Sequence, residues 1–135
     1  MSAVIGCFCL DRSGTRFFNV FEDAPYPLSE AQMVFPKCRI KRLYVNCFYN
    51  GISEGSLTVW VNKNGVNQGS GVTFNAAETG IKHEDLNLDV SDGDLIAIAM
   101  QSDGYVSFSW SLILEEVIPI PVRRMLGDGL VWIVC

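Results

Sequence analysis

Apolar and polar residues alternate along much of the chain with a period of two. From Tyr105 to Leu114 an apolar residue occupies every second position, and serines stand between at positions 107, 109 and 111. Successive side chains of a β-strand point to opposite faces, whereas a helix would scatter these residues around its circumference. The pattern therefore predicts a strand with one apolar and one polar face.

A second alternating segment leads into a predicted hairpin. Leu57 to Asn62 carries leucine or valine at every second position, and Asn64-Gly65 follows shortly after it. Asn-Gly between two β-forming segments favours a two-residue turn, because both central residues of that turn need positive φ. We expect the chain to return as a strand from Val66 to Phe74.

Three further segments are predicted to be strands. Asp85 to Val90 alternates and ends in turn residues. Lys37 to Tyr49 alternates too, with a change of phase that indicates a bulge. Leu95 to Met100 is apolar on both faces. That pattern is typical of a central strand covered on one side by a second sheet and on the other by a partner or by small residues.

The fold class follows from the number and spacing of these segments. Prolines at positions 25, 27 and 36 indicate an irregular connection, and no window combines helical periodicity with capping residues at its ends. Eight to ten short strands with turns every eight to twelve residues predict an all-β fold, an antiparallel β-sandwich of jelly-roll type. A chain of 135 residues predicts one domain over residues 1–135.

Composition narrows the class of protein. With 49% apolar and 19% charged residues the chain can bury a core, which excludes intrinsic disorder. No apolar run approaches the ~20 residues that span a bilayer, and the first residues lack the pattern of a secretory signal. We expect a soluble protein synthesised in a reducing cytoplasm, with no membrane partner. A net charge of −5 argues against nucleic acid as a partner.

The cysteines indicate a core without a disulfide framework. There are five, an odd number at irregular spacings, namely Cys7, Cys9, Cys38, Cys47 and Cys135. Cys7 and Cys9 would share one strand face and could supply half of a zinc site, but no second pair has matching spacing. Packing as small apolar side chains is the favoured interpretation. We predict that folding requires no disulfide.

No residue pattern indicates catalysis. The single histidine, His83, has no nucleophile elbow, phosphate-binding loop or second histidine to accompany it. Four aspartates could gather around calcium, but they also suit turns between strands: Asp89, Asp92, Asp94 and Asp103. We therefore expect no enzyme activity, no cofactor, no metal and no small-molecule substrate.

Two segments are candidates for contact with a partner. One is a basic cluster, which is either a solvated strand face or a docking contact: Lys37, Arg39, Lys41 and Arg42, joined later by Arg123 and Arg124. The other is an apolar C-terminus, which either pairs inside the sandwich or enters an interface: Leu130, Val131, Trp132 and Ile133.

Parts of the chain resemble a pattern that recurs in structural proteins of tailed bacteriophages. KRLYV at 41–45, SLTVWVNKNGV at 56–66 and DVSDGDLI at 89–96 carry it. In the pattern a strand ends in an Asn-Gly turn that displays NGV, and a later strand opens with GD before alternating apolar residues. The resemblance covers roughly residues 16 to 116. It implies a jelly roll similar to tumour-necrosis-factor-like trimers, hence a virion component and a homotrimer, and it carries over no catalytic residue.

The resemblance leaves two functions open. One is a capsid decoration or cement protein that binds the major capsid protein on the capsid exterior and stabilises the shell. The other is the receptor- or glycan-binding head of a tail fibre or spike. Such a head normally ends a longer chain with a shaft, and this chain starts at a methionine and has no shaft. We therefore predict decoration.

Residue roles follow from this prediction. We expect the doubly apolar strand to supply the trimer interface, through Ile96, Ile98 and Met100. Segments 1–21 and 118–135 are candidates for subunit interfaces as well. In the contact with the capsid, the apolar C-terminus would supply affinity and the basic residues orientation.

Overall fold

The computed structural model describes residues 2–20, 25–115 and 130–134, and the side chains of residues 3–20 and 27–115. The described residues form nine strands and one helical turn, α1, at Leu28–Ala31. The strands are β1 Ser2–Phe18, β2 Pro25–Tyr26, β3 Met33–Val34, β4 Cys38–Asn50, β5 Ser56–Lys63, β6 Val66–Asn75, β7 Gly80–Val90, β8 Leu95–Glu115 and β9 Leu130–Val134. The antiparallel all-β class is confirmed, and the jelly-roll form stays a prediction.

The last long strand, β8, is continuous where the sequence predicts two short strands. Its first half pairs with β5 and its second half with β4. β1 runs antiparallel along the other side of both halves. Short strands with regular turns are therefore the wrong description for β1 and β8, which are 17 and 21 residues long. Residues 101–104, which have turn-forming side chains, lie inside a strand because β1 pairs with both of its halves.

The nine strands belong to one sheet that folds over on itself. We call the part made of β9, the first half of β1, the second half of β8, β4 and β7 the first layer. The second layer contains the remaining halves of β1 and β8 together with β5 and β6. β7 lies at the edge of the first layer that is farthest from β1. There its Glu84 carboxylate accepts hydrogen bonds from the amide of Ser70 in β6, at 3.0 Å, and from the hydroxyl of the same serine, at 2.7 Å. This contact ties the first layer to the second.

The core lies between the two layers and consists of the predicted apolar faces. Phe108, Trp110 and Leu112 of β8 are buried, as are Leu57 and Val59 of β5. Burial of such side chains contributes about 1.5–3 kcal/mol each, which is the main favourable term in folding.

Local signals placed the turn between β5 and β6 and the bulge in β4 correctly. Asn64 and Gly65 have φ of 52° and 88°, as a hairpin turn between β5 and β6 requires. The predicted bulge in β4 is confirmed by a register shift between Ile40 and Arg42, where β4 pairs with both β7 and β8. On the β7 side of this bulge, Asn87 has a positive φ of 47°.

The C-terminal strand pairs with β1 in the same sheet, and whether it also enters an interface stays a prediction. β9 lies parallel to β1, with residues 130–134 opposite residues 2–6. Residues 2–6 of the first strand thus lie between β8 and β9, and at its other end Phe17 and Phe18 pair with β2. Residues 116–129 lie outside the described residues.

Candidate interaction face

The outer face of the first layer is the side that points away from the core. The strand register arranges its residues in rows across β1, β8, β4 and β7, and a glycine and two serines occupy the middle of the face. The rows are Val4, Ile113, Arg42 and Asp85; Gly6, Ser111, Tyr44 and His83; and Phe8, Ser109, Asn46 and Ile81.

One end of this face carries ion pairs, and we call it the charged end. Its residues are Arg39, Lys41, Arg42, Asp85, Asp89 and Glu115. Arg39 Nε lies 2.9 Å from Asp89 Oδ1, and Arg42 Nε lies 2.5 Å from Asp85 Oδ1. Lys41 Nζ lies 3.5 Å from Glu115 Oε2. Each pair joins neighbouring strands.

Arg42 is the most connected of these cations. Its Nη1 donates a hydrogen bond of 2.8 Å to the Tyr44 hydroxyl, and its guanidinium carbon lies 5.5 Å from the Tyr44 ring centroid. These bonds to Tyr44 and Asp85 raise the pKa of Arg42, and the bond to Asp89 raises the pKa of Arg39. Beside Arg42 lies a groove of about 260 Å³, lined by Lys41, Arg42, Asp85, Asn87 and Ile113.

The basic cluster is therefore balanced by carboxylates rather than free. Its three strand cations each have an acidic partner, so this end does not present a positive patch. Lys37 is exposed and makes no ion pair with the described residues. Arg123 and Arg124 lie outside the described residues. A capsid-binding role for these six residues stays a prediction.

The opposite end of the face carries exposed apolar side chains, and we call it the apolar end. Its residues are Phe8, Leu10, Phe48, Tyr49, Ile81 and Tyr105. Ile81 is 72% exposed, Tyr105 61%, and Phe48 and Tyr49 50% each. Single exposed apolar residues are ordinary on protein surfaces, but several at one end of one sheet are typical of an interaction site.

Sequence reasoning missed the apolar end. The register shift between Cys47 and Tyr49 leaves Phe48 unpaired beside β8, and both aromatic residues are half exposed. A second shift in β1 follows Cys9, next to exposed Leu10. The aromatic pair at 48–49 is the signal that could have indicated the site, because it breaks the period of two.

The residues predicted for a trimer interface lie in the core. Ile96 and Ile98 are 0% exposed, and Met100 is 1% exposed, within the single chain. On the opposite face of residues 95–100, the small residues Ala97 and Ala99 are buried as well. Both faces of this part of β8 are therefore covered within a single chain. A trimer contact through the three larger side chains would require the sheet to open, and their assignment to an interface stays a prediction.

The apolar C-terminal residues occupy β9. Leu130 and Val131 lie opposite Ser2 and Ala3, and the two that follow, Trp132 and Ile133, continue the same register along β1. Their side chains lie outside the described residues. Whether they contact a partner stays a prediction.

Three cysteines are free thiols in the core, as the sequence predicts for core packing: Cys9, Cys38 and Cys47. Burial raises the pKa of Cys9 to about 12 and also raises the pKa values of Cys38 and Cys47. A thiol with a raised pKa is a poor nucleophile and a poor metal ligand. Cys7 differs, because it is disulfide-bonded, and this corrects the expectation that it packs as a thiol beside Cys9.

The aspartates considered for calcium serve local structure instead. The Asp94 carboxylate accepts hydrogen bonds from the Ser91 amide, at 2.8 Å, and from the Asn64 side chain, at 3.0 Å. Asp103 accepts one from the Ser56 amide, and Asp89 is paired with Arg39. Within the described ranges, no three His, Cys, Asp or Glu residues form a group that could hold a metal ion.

Within the same ranges, no helix is long and apolar enough to cross a membrane.

Comparison with known proteins gives a likeness in fold. No family model matches the sequence, and no curated protein matches it. Among solved structures, the chain is similar to a chain of the acidic stable capsid structure of Helicobacter pylori bacteriophage KHP30. The TM-score is 0.59 and the identity 10%, over 89% of this chain and 91% of that chain. At this identity the likeness shows the fold alone.

Proposed function

We propose that this protein is a structural component of a tailed-bacteriophage virion that decorates the outside of the capsid. The observation that carries the proposal is the fold shared with a chain of a phage capsid structure over nearly the whole length of both. The resemblance of residues 16–116 to phage structural proteins supports it independently, because that resemblance rests on sequence motifs.

The apolar end is the proposed contact with the shell. Binding that ties capsid subunits together needs a buried apolar centre, since charged rims set orientation more than affinity. Tyr49, Tyr105 and Phe48 provide aromatic side chains of the type that dominates binding energy at interfaces. The charged end would lie at the rim, where its carboxylates and cations remain hydrated.

We further propose that the protein acts as a homotrimer and has no enzymatic role. The trimer is implied by the resemblance to tumour-necrosis-factor-like folds. Threefold assembly would present three copies of the apolar end to one site on the lattice, and the effective concentration of the second and third contacts would raise the affinity.

Binding of a receptor or glycan by a fibre head is the second candidate. The outer face favours it in one respect, because it places the hydroxyls of Ser109 and Ser111 near the rings of Phe8 and Tyr44. Aromatic faces combined with hydrogen-bonding groups suit an amphipathic ligand. This candidate predicts binding to host cells.

Immunogold labelling of virions of the phage that encodes this chain tests the proposal. We expect label over the shell, and light scattering of the purified protein should give about three times 15.0 kDa. Label at the tail tip, together with binding to host cells, would favour the fibre head. A monomer mass at micromolar concentration would contradict the trimer without affecting the location.

A further inference from the structure

We propose that the groove beside Arg42 binds a neutral saccharide through a single sugar ring. The groove has a volume of about 260 Å³ and is lined by Lys41, Arg42, Asp85, Asn87 and Ile113. Pockets for drug-sized ligands usually have about 300–1,000 Å³, so this groove suits a smaller molecule. Four of its five lining residues are polar or charged, which indicates a ligand that is held mainly by hydrogen bonds.

A backbone irregularity lies at the groove. Strand β4 changes register between Ile40 and Arg42 in its pairing with β7 and also in its pairing with β8. On the β7 side, Lys41 alone stands against residues 86–87. Asn87 has a φ of 47°, which is uncommon for a residue other than glycine. Bulges redirect side chains and are frequent beside binding sites. Lys41 and Asn87, one from each strand of this bulge, both line the groove.

The charges at the groove favour a neutral ligand over an ion. Arg42 Nε lies 2.5 Å from Asp85 Oδ1, and Lys41 Nζ lies 3.5 Å from Glu115 Oε2. Each cation that lines the groove therefore has a carboxylate beside it. Because the two signs cancel, the groove does not concentrate anions or cations from solution.

The hydrogen-bonding groups at the groove match neighbouring hydroxyls. The Asn87 side chain offers one acceptor and two donor hydrogens, and it makes no hydrogen bond to the part of the chain that the structure describes. Asp85 accepts from Arg42 through Oδ1 only, and Arg42 has five N–H groups, of which Nε and Nη1 supply the bonds to Asp85 and Tyr44. A hydroxyl both donates and accepts, so adjacent hydroxyls of a sugar ring can bind to the amide, carboxylate and guanidinium together. Ile113 offers an apolar contact to the C–H groups of the ring.

This site goes beyond the proposed virion role and does not depend on it. It uses the charged end of the outer face and leaves the apolar end to the shell. A ligand of one sugar ring should bind with a dissociation constant on the order of 1 mM, because it has few atoms. Many copies on one particle would raise the affinity for a surface that carries many such sugars.

Titration of the purified full-length protein with sugars tests the site. The probes are the methyl glycosides of glucose, galactose, mannose and N-acetylglucosamine, and sodium acetate serves as the ionic control. We expect at least one glycoside to shift the backbone amide resonances of Lys41, Arg42 and Asn87 in a saturable way, and acetate to leave them unchanged. The absence of such shifts with all four glycosides would overturn the proposal. Equal shifts with acetate would also overturn it, because the groove would then be an anion site.

A variant of Asn87 locates the binding. Asn87→Gly keeps the left-handed backbone, which glycine adopts readily, and removes the side-chain amide. It should weaken glycoside binding at least tenfold. Ala77→Gly is the matched control, since Ala77 has a φ of 64° and does not line the groove, and its affinity should equal that of wild type. If Asn87→Gly binds the glycoside as wild type does, the proposed site is wrong, and the proposed role on the capsid is unaffected.

Discussion

The two ends of the outer face differ in what their residues already contact. At the charged end, Arg39 and Arg42 are each matched by an aspartate on the neighbouring strand. At the apolar end, Ile81 and Tyr105 are more than half exposed. Ion pairs within a chain largely cancel each other's charge, so they attract a partner only weakly. Exposed apolar side chains, in contrast, gain free energy whenever a partner surface removes them from water.

The comparison shows why a cluster of basic residues in a sequence is a weak predictor of a binding patch. Arg39 and its partner Asp89 are 50 positions apart, so the neutralising carboxylate is invisible in the local sequence. The net charge that a partner meets depends on all residues of the face, including those from distant parts of the sequence. The apolar end therefore becomes the stronger candidate for affinity.

The largest expected effect comes from the glycine between the two ends. A Cβ on Gly6 would lie 2.2 Å from the Trp110 carbonyl oxygen, so Gly6→Ala must push β1 away from β8. We expect a loss of about 3 kcal/mol in the free energy of unfolding, measured by urea titration. The two ends would then lose their fixed spacing.

Gly65→Ala is the matched control for this prediction. No atom lies within 4 Å of a Cβ at Gly65, but its φ is 88°. The substitution should cost only about 1 kcal/mol through backbone strain. Equal, small losses for the two variants would show that the strands at Gly6 adapt and that the face is not rigid.

The second prediction compares the two ends directly. The double variant Phe48→Asp with Tyr49→Asp should weaken binding to undecorated shells by about 30-fold, because truncation of central aromatic contacts costs about 2 kcal/mol. Its melting temperature should change little, since both side chains are half exposed. The measurement is a sedimentation assay with shells.

Two further variants decide how this result is interpreted. Val34→Asp with Val66→Asp adds the same charge at exposed positions outside the apolar end, and it should change binding less than twofold. Arg39→Met with Arg42→Met removes two cations and should change mainly the salt dependence. Loss of binding in this last variant alone would transfer the interface to the charged end.

The smallest expected effect concerns the turn next to the apolar end. The Glu78 carboxylate accepts hydrogen bonds from the Asn75 amide, at 2.8 Å, and from Lys82 Nζ, at 2.9 Å, which lower its pKa. Asn50, which follows Tyr49, donates to the Glu78 carbonyl. Protonation of Glu78 should therefore weaken its hydrogen bonds to Asn75 and Lys82 and destabilise the turn that contacts Asn50 beside the apolar end.

The sign of the pH effect follows from the direction of the shift. A lowered pKa in the folded state stabilises the protein above the ordinary value of about 4.5, and the gain is lost as the pH falls through the folded pKa. Glu78→Gln should thus lower the melting temperature at pH 7, and the difference from wild type should shrink as the pH falls below about 4.5. A difference that does not change with pH would mean that Glu78 acts without its charge.

Local patterns predicted the parts of the fold that local geometry decides. The serine alternation placed the two faces of β8, and Asn64-Gly65 placed the hairpin, because each signal lies within a few residues of what it specifies. The bulge near Ile40 was visible as a change of phase. These features can be predicted without knowing which strands are neighbours in the sheet.

Features that depend on distant pairing could not be predicted. Turn-forming residues such as Asp103 lie inside β8 because β1 pairs with both of its halves, although the partner on the other side changes from β5 to β4. The odd number of cysteines suggested free thiols, but Cys7 is disulfide-bonded, and the pairing of a cysteine depends on contacts that the local sequence does not contain. The apolar end assembles from β1, β4, β7 and β8, so no single window of sequence contains it.

The pairing of β1 with β8 also has a consequence for biosynthesis. β1 leaves the ribosome well before its long partner, which begins at Leu95 and ends at Glu115. At about 5–20 residues per second, the first strand waits for roughly 5–20 s with its apolar side chains uncovered. Pairing over such separations is slow to form, since the intervening chain must be closed first. Nascent chains are therefore expected to depend on chaperones until β8 has been made.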